Sequence, residues 1–248
     1  MNYFIAKYLK GDRVIWMVSI ILSLISLLAV YSSISSLAYK YTQGNTLYYL
    51  FKHGIMLITG LGIMYVVHKM NYKYFSRLSQ IAIWVAAILL ILTLLLGVNL
   101  NDASRWIKIP IINQNFQTSD FAKIALIAFV ARELTVRKEK LRIFKQGVLP
   151  ILVPIIIICG LILPANFSTA AMLFTVCAIL LFIGGVPIKH LVLIFALAVA
   201  GFALLLSISS VFPDLLPRAA TWKARIMSFE SGDSESNYQV EHAMMAIQ

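Results

Sequence analysis

Two pairs of side chains around residues 105–123 each include a cation of the type that binds a phosphate ester. Arg105 with Trp106 opens a polar segment, and Asp120 with Lys123 stands just after Phe116-Gln117-Thr118-Ser119. A guanidinium grips phosphate oxygens through paired hydrogen bonds and an ammonium acts as a point charge, so the two together suit a diphosphate beside an outward-opening cavity. The plainer reading is that Asp120 and Lys123, three apart on a helix, neutralise each other. On that reading Arg105 and Trp106 only anchor the chain at a membrane interface. Ser119, or Thr118, is expected to cap the helix, with Asp120 in its first turn where an acid complements the helix dipole. A second polar segment, Pro164 to Thr169, breaks two apolar runs, and Asn166 or Ser168 is expected to cap the helix that follows. As a bare turn it is ordinary. Gly184-Gly185 before Pro187 reads as a plain helix end.

The elements that must position these residues are membrane helices. Apolar residues make up 60% of the 248 and charged ones 12%, about half the usual charge of soluble domains. Apolar stretches long enough for helices run over 14–31, 50–67, 81–98, 119–134, 148–163, 169–186 and 188–212. The expected fold is an all-α polytopic transmembrane bundle of about seven helices over 1–212. Its first run is a retained helix rather than a cleaved signal, given its length and the spans behind it. The fourth carries Asp120, Lys123, Arg132 and Glu133 and must sit inside the bundle or be partly re-entrant, because lipid penalises exposed charge.

Basic residues set the orientation. With a cytoplasmic N-terminus, thirteen Lys and Arg fall on the inside and seven outside, with Lys123 left within a helix. The run from Arg132 to Lys145 is explained as a topology signal drawn to anionic head groups, and nucleic acid is not an expected partner. Three polar segments then face outward: 32–49, 100–118 and 213–248, the last being the start of a large extracytoplasmic loop. That stretch is too long for a simple connector, and the chain reads as the N-terminal part of a longer protein. Cys159 and Cys177 lie in apolar runs as packing residues. His53, His68, His190 and His242 lie too far apart in sequence to suggest metal-ligand spacing. No cofactor or metal is assigned.

Taken in order, these residues resemble a known family. Arg105-Trp106 followed by Phe116-Gln117-Thr118-Ser119-Asp120-Phe121-Ala122-Lys123 is similar to the SEDS pattern Arg-Trp, then Phe-Gln-Pro-Ser-Glu-x-x-Lys. Asn166-Phe167-Ser168-Thr169 resembles that family's Asp-Leu-Gly-Thr turn. Arg225 to Phe229, Tyr238-Gln239 and Ala246-Ile247 resemble its Arg-Ile/Val-x-x-Phe, Tyr-Gln and Ala-Ile elements. The departures are Thr118 for Pro, Asp120 for Glu, Asn166 for Asp and Ser168 for Gly. Asp120 keeps its charge, whereas Asn166 loses it and with it any acid role.

The resemblance, to SEDS proteins of the FtsW, RodA and SpoVE kind, implies a ten-helix parent that polymerises lipid II into glycan strands outside the cytoplasmic membrane. The short loops and the Asn166 turn lean towards the division branch. It implies a base that deprotonates the acceptor 4-hydroxyl and cations that stabilise the departing undecaprenyl diphosphate. The family's catalytic aspartate would lie beyond Gln248, so this fragment alone is expected to be inactive. Arg105 and Lys123 would belong to the diphosphate or lipid channel, Trp106 would pack the substrate and Asp120 would position Lys123. Asn166, Thr169 and Gln239 would stand behind them. A class B penicillin-binding transpeptidase, with other divisome or elongasome membrane proteins, is the implied partner. Whether a divalent cation assists is left open. Two rivals stand beside this reading: a lipid-precursor flippase, whose translocation path buried charges also suit, and a non-catalytic division scaffold.

Overall fold

The structure, a computed structural model, describes residues 12–34, 46–96, 98–100, 103–109, 114–211 and 245. The chain divides into two compact units, Met1–Asn71 and Tyr72–Gln248.

The first unit is a helical hairpin of α1 (Arg13–Ser33) and α2 (Thr46–Lys69). Asp12 caps α1 by accepting from the Val14 amide at 2.8 Å, satisfying a backbone donor that the helix itself cannot reach. Trp16, near the start of α1, meets Tyr65 and His68, near the end of α2, edge to face at 6.4 and 6.0 Å. The two helices therefore run antiparallel. Midway, Ser26 Oγ and His53 Nε2 share a hydrogen bond of 2.9 Å, which gives both polar groups a partner within an apolar pair.

The second unit holds α3 (Tyr72–Leu96), α4 (Thr118–Val136), α5 (Leu149–Ile162), α6 (Phe167–Ile183) and α7 (Ile188–Val211). Seven α-helices of three turns or more thus occur among the described residues, at the places the apolar runs predict. Among the described residues five helical stretches are long and apolar enough to cross a membrane, and α6 is a shorter apolar helix. The protein is an all-α, multi-pass membrane bundle. In lipid, helices associate through close packing rather than escape from water. Accordingly, α3 packs along α4, and the fully buried Ala86 and Ala122 permit a near approach. Around them Leu126, Val130, Ile151, Ile155, Ile158, Leu173 and Leu181 fill the core.

Of the two placements open to α4, the structure shows the first: it lies inside the bundle, packed against α3, α5 and α6. Its charges sit near its two ends, and the stretch Ile124–Ala131 between them is apolar.

The segment expected as an outer loop is largely a small sheet. β1 (Val98–Leu100), β2 (Ala103–Ile109) and β3 (Gln114–Gln117) form an antiparallel three-stranded sheet in the order β1-β2-β3. Trp106, Ile107 and Ile109 are aromatic or β-branched, the residue types that favour an extended strand. Trp106 pairs with Gln117 and Ile107 with Phe116, so the sheet leads straight into α4. Residues 213–248, apart from Met245, lie outside the described residues, as do the resembling elements at Arg225, Tyr238 and Ala246.

Candidate functional site

The first turn of α4 is where the sequence-derived candidates meet. Neither Ser119 nor Thr118 caps the helix; Gln117 does, and its side chain makes no capping bond. Because β3 continues to Gln117 without a break, Thr118 and Ser119 are already helical and buried. The Gln117 amide instead donates from Nε2 to Ser119 Oγ at 2.8 Å. Asp120 does stand in the first turn, as expected. Its Oδ1 lies 2.7 Å from Lys123 Nζ, an i,i+3 ion pair on the surface of the helix. The Asp120 side chain is 58% exposed and that of Lys123 28%, so the ammonium is held partly inside while one face of the pair remains open.

The sheet determines what lies beside this pair. Trp106, half-buried, sits directly across from Gln117, one residue before the helix, and β2 lies against both α3 and α4. Arg105 stands in β2 immediately before Trp106. Gln239 lies outside the described residues.

Behind the first turn is a small pocket, lined by residues of α3, α4 and α5 and by the turn after α5. Its polar lining consists of Thr93, Thr118, Ser119 and Asn166, set among Leu90, Leu94, Leu161 and Ile162. Thr93 Oγ1 lies 2.6 Å from the Leu89 carbonyl and 2.9 Å from Thr118 Oγ1. A hydroxyl has one proton, so with Thr93 donating to Leu89 the Thr118 hydroxyl donates to Thr93. Asn166 caps α6 as expected: its Oδ1 accepts from the Thr169 amide at 3.3 Å. The side chain that resembles an acid position thus works as a neutral cap and lines the pocket, and Thr169 enters through its backbone. Lys123 is not among the lining residues, so the ion pair and the hydroxyl pocket are neighbouring features of one helix end rather than one cavity.

Thr93 and the cap position of Gln117 escaped the sequence reading. A lone threonine inside an apolar helix usually bonds its own helix, and only the register of α3 against α4 reveals that Thr93 also meets Thr118. Among the described residues, no group of three or more His, Cys, Asp or Glu is placed to hold a metal ion.

Comparison with known proteins decides the lineage. Residues 12–248 match the FtsW/RodA/SpoVE family of cell cycle proteins. This chain belongs to that family. A probable peptidoglycan glycosyltransferase FtsW of Polynucleobacter necessarius is 27% identical over 252 residues, spanning 98% of this chain and 57% of the relative. Stage V sporulation protein E of Bacillus subtilis is 27% identical over 206 residues, 79% of this chain and 54% of the relative. Among solved structures, one chain of a peptidoglycan synthase complex superposes with a TM-score of 0.58 at 23% identity, covering 90% of this chain and 64% of that one. The chain spans about half the length of the curated relatives it matches. The shared fold is a polytopic helix bundle.

Proposed function

We propose that the protein of which this chain forms the FtsW/RodA/SpoVE-family portion is a peptidoglycan glycosyltransferase that polymerises lipid II at the outer face of the cytoplasmic membrane. The observation that carries this reading is the Asp120–Lys123 pair, an ammonium positioned at 2.7 Å by a carboxylate beside the strand that bears Arg105 and Trp106. A phosphate displaces a carboxylate from an ammonium at little cost when the pair is partly solvated, since such pairs are worth only about 0–1 kcal/mol.

In the reaction, a base takes the proton of the acceptor 4-hydroxyl, and its oxygen bonds to the donor anomeric carbon. The bond from that carbon to the diphosphate breaks, and the diphosphate leaves on its undecaprenyl chain with a charge that Lys123 and Arg105 stabilise. Trp106 packs against the substrate and Asp120 orients Lys123. The resemblance assigns the base to an aspartate beyond Gln248. Thr169 and Gln239 have supporting roles, and Asn166 shapes the pocket floor.

The N-terminus is cytoplasmic on the charge count, which puts the sheet and the start of α4 outside. A class B penicillin-binding transpeptidase is the partner; the similarity to a chain of a peptidoglycan synthase complex supports this. Relatives named FtsW support the division branch. The competing reading is a lipid-precursor flippase, for which a charged helix inside the bundle also speaks. Purified complete protein with its transpeptidase separates them: glycan strands formed from lipid II support the polymerase. Transfer of a labelled lipid across vesicles without polymer would support the flippase.

A further inference from the structure

A topology signal requires only positive charge, yet the segment joining α4 to α5 is folded with care. After α4, Lys138–Lys140 forms a turn of 3-10 helix and Phe144–Val148 a π-helical turn that runs into α5. Backbone bonds link Lys140 to Arg137 at 2.8 Å, Ile143 to Lys140 at 3.0 Å and Gly147 to Ile143 at 2.9 Å. Arg137 Nη1 reaches the Gln146 carbonyl at 3.3 Å and closes the segment on itself, while its Nε donates to Glu133 Oε2 at 2.6 Å. Leu141 is buried and pins the middle, and a side chain at Gly147 would collide with the Lys140 carbonyl. Phe144 rests on His190 at 5.2 Å, which brings the start of α7 alongside.

From this scaffold Lys138, Lys140, Arg142 and Lys145 are all exposed, with Glu139 as the one acid of the segment. Between them Ile143 stands 54% exposed, an apolar side chain in the midst of cations. A polyanion in water gains nothing from an exposed isoleucine, whereas a head group with acyl chains beside it meets both features at once. We infer that this segment is a preformed binding site for anionic phospholipid of the inner leaflet, its four cations gripping the phosphate head group and Ile143 entering the acyl boundary. Its place on the inner face rests on the orientation argued above.

The test uses the intact protein in detergent with mixed phosphatidylglycerol and phosphatidylcholine, reading retained lipid by native mass spectrometry. Wild type is expected to retain phosphatidylglycerol at least tenfold over phosphatidylcholine. Each basic residue near an anionic surface is worth roughly a fivefold change in partition, so K138Q/K140Q/R142Q/K145Q should abolish the preference. The double variant R142Q/K145Q leaves the Lys138–Lys140 turn intact and should lose part of it. K73Q/R77Q, at the start of α3, should leave it unchanged. I143S should weaken lipid retention yet leave tripolyphosphate binding alone. Equal retention of the two lipids by wild type, or an unchanged preference in both multiple variants, would overturn the inference. So would tripolyphosphate held as tightly as lipid with no effect of I143S, which would make the site one for soluble anions. Labelling of an introduced K138C by an impermeant maleimide in spheroplasts reads the orientation separately, against buried Cys159 and Cys177.

Discussion

The two ends of α4 carry the same kinds of charge in opposite settings. At the sheet end, Asp120 holds Lys123 at 2.7 Å with its own side chain 58% exposed. At the far end, Glu133 is buried, with a side chain only 7% exposed, and is clasped by Arg132 and Arg137. With its oxygen facing the guanidinium, the Gln80 amide accepts from Arg132 Nη2 at 2.8 Å and ties the cluster to α3. Water screens the first pair, so breaking it costs little and its ammonium is available to a ligand. The second cluster is shielded, and its members depend on one another. One end of the helix is thus open to solvent and the other closed.

Substitutions sharpen that contrast. Glu133→Ala leaves two partly exposed guanidiniums without their shared buried partner, a loss of about 1.5–3 kcal/mol. The thermal melting point in detergent should fall more for this variant than for any below. Asn166→Ala removes the α6 cap and should cost about 1 kcal/mol in the same melt. Thr93→Val and Thr118→Val should each cost about 0.5–1.5 kcal/mol, and the double variant less than their sum, because either change alone breaks the shared hydrogen bond. Asp120→Asn should change stability by less than about 1 kcal/mol. If it melted as early as Glu133→Ala, the two ends would not differ in the way their burial implies.

Much of this was legible in the sequence, and for a physical reason. Lipid demands continuous apolar runs, so helices announce themselves: the run at 188–212 became Ile188–Val211 and that at 119–134 became Thr118–Val136. Asn166 and Asp120 followed local helix-end rules and took the places those rules assign. The sheet over Val98–Gln117 was missed because its strands are three to seven residues long and set among polar residues, where alternation is weak evidence. The cap at Gln117 was missed for the same reason, since the strand decides where the helix begins. Thr93 with Thr118, and Gln80 with Arg132, are contacts between helices whose rotational register no single-helix pattern encodes. Local chemistry was readable; the pairing of elements was not.

The account turns on Lys123. The direct measurement is the rate of glycan-strand formation from purified lipid II by the complete protein with its transpeptidase, wild type against Lys123→Ala, with both shown to be folded and paired. Loss of a positioned cation from a developing anion should lower the rate on the order of 10²–10³-fold while the melting point stays near that of wild type. Polymer formed by Lys123→Ala at the wild-type rate would contradict the account and leave the Asp120–Lys123 pair as a mere neutralised couple.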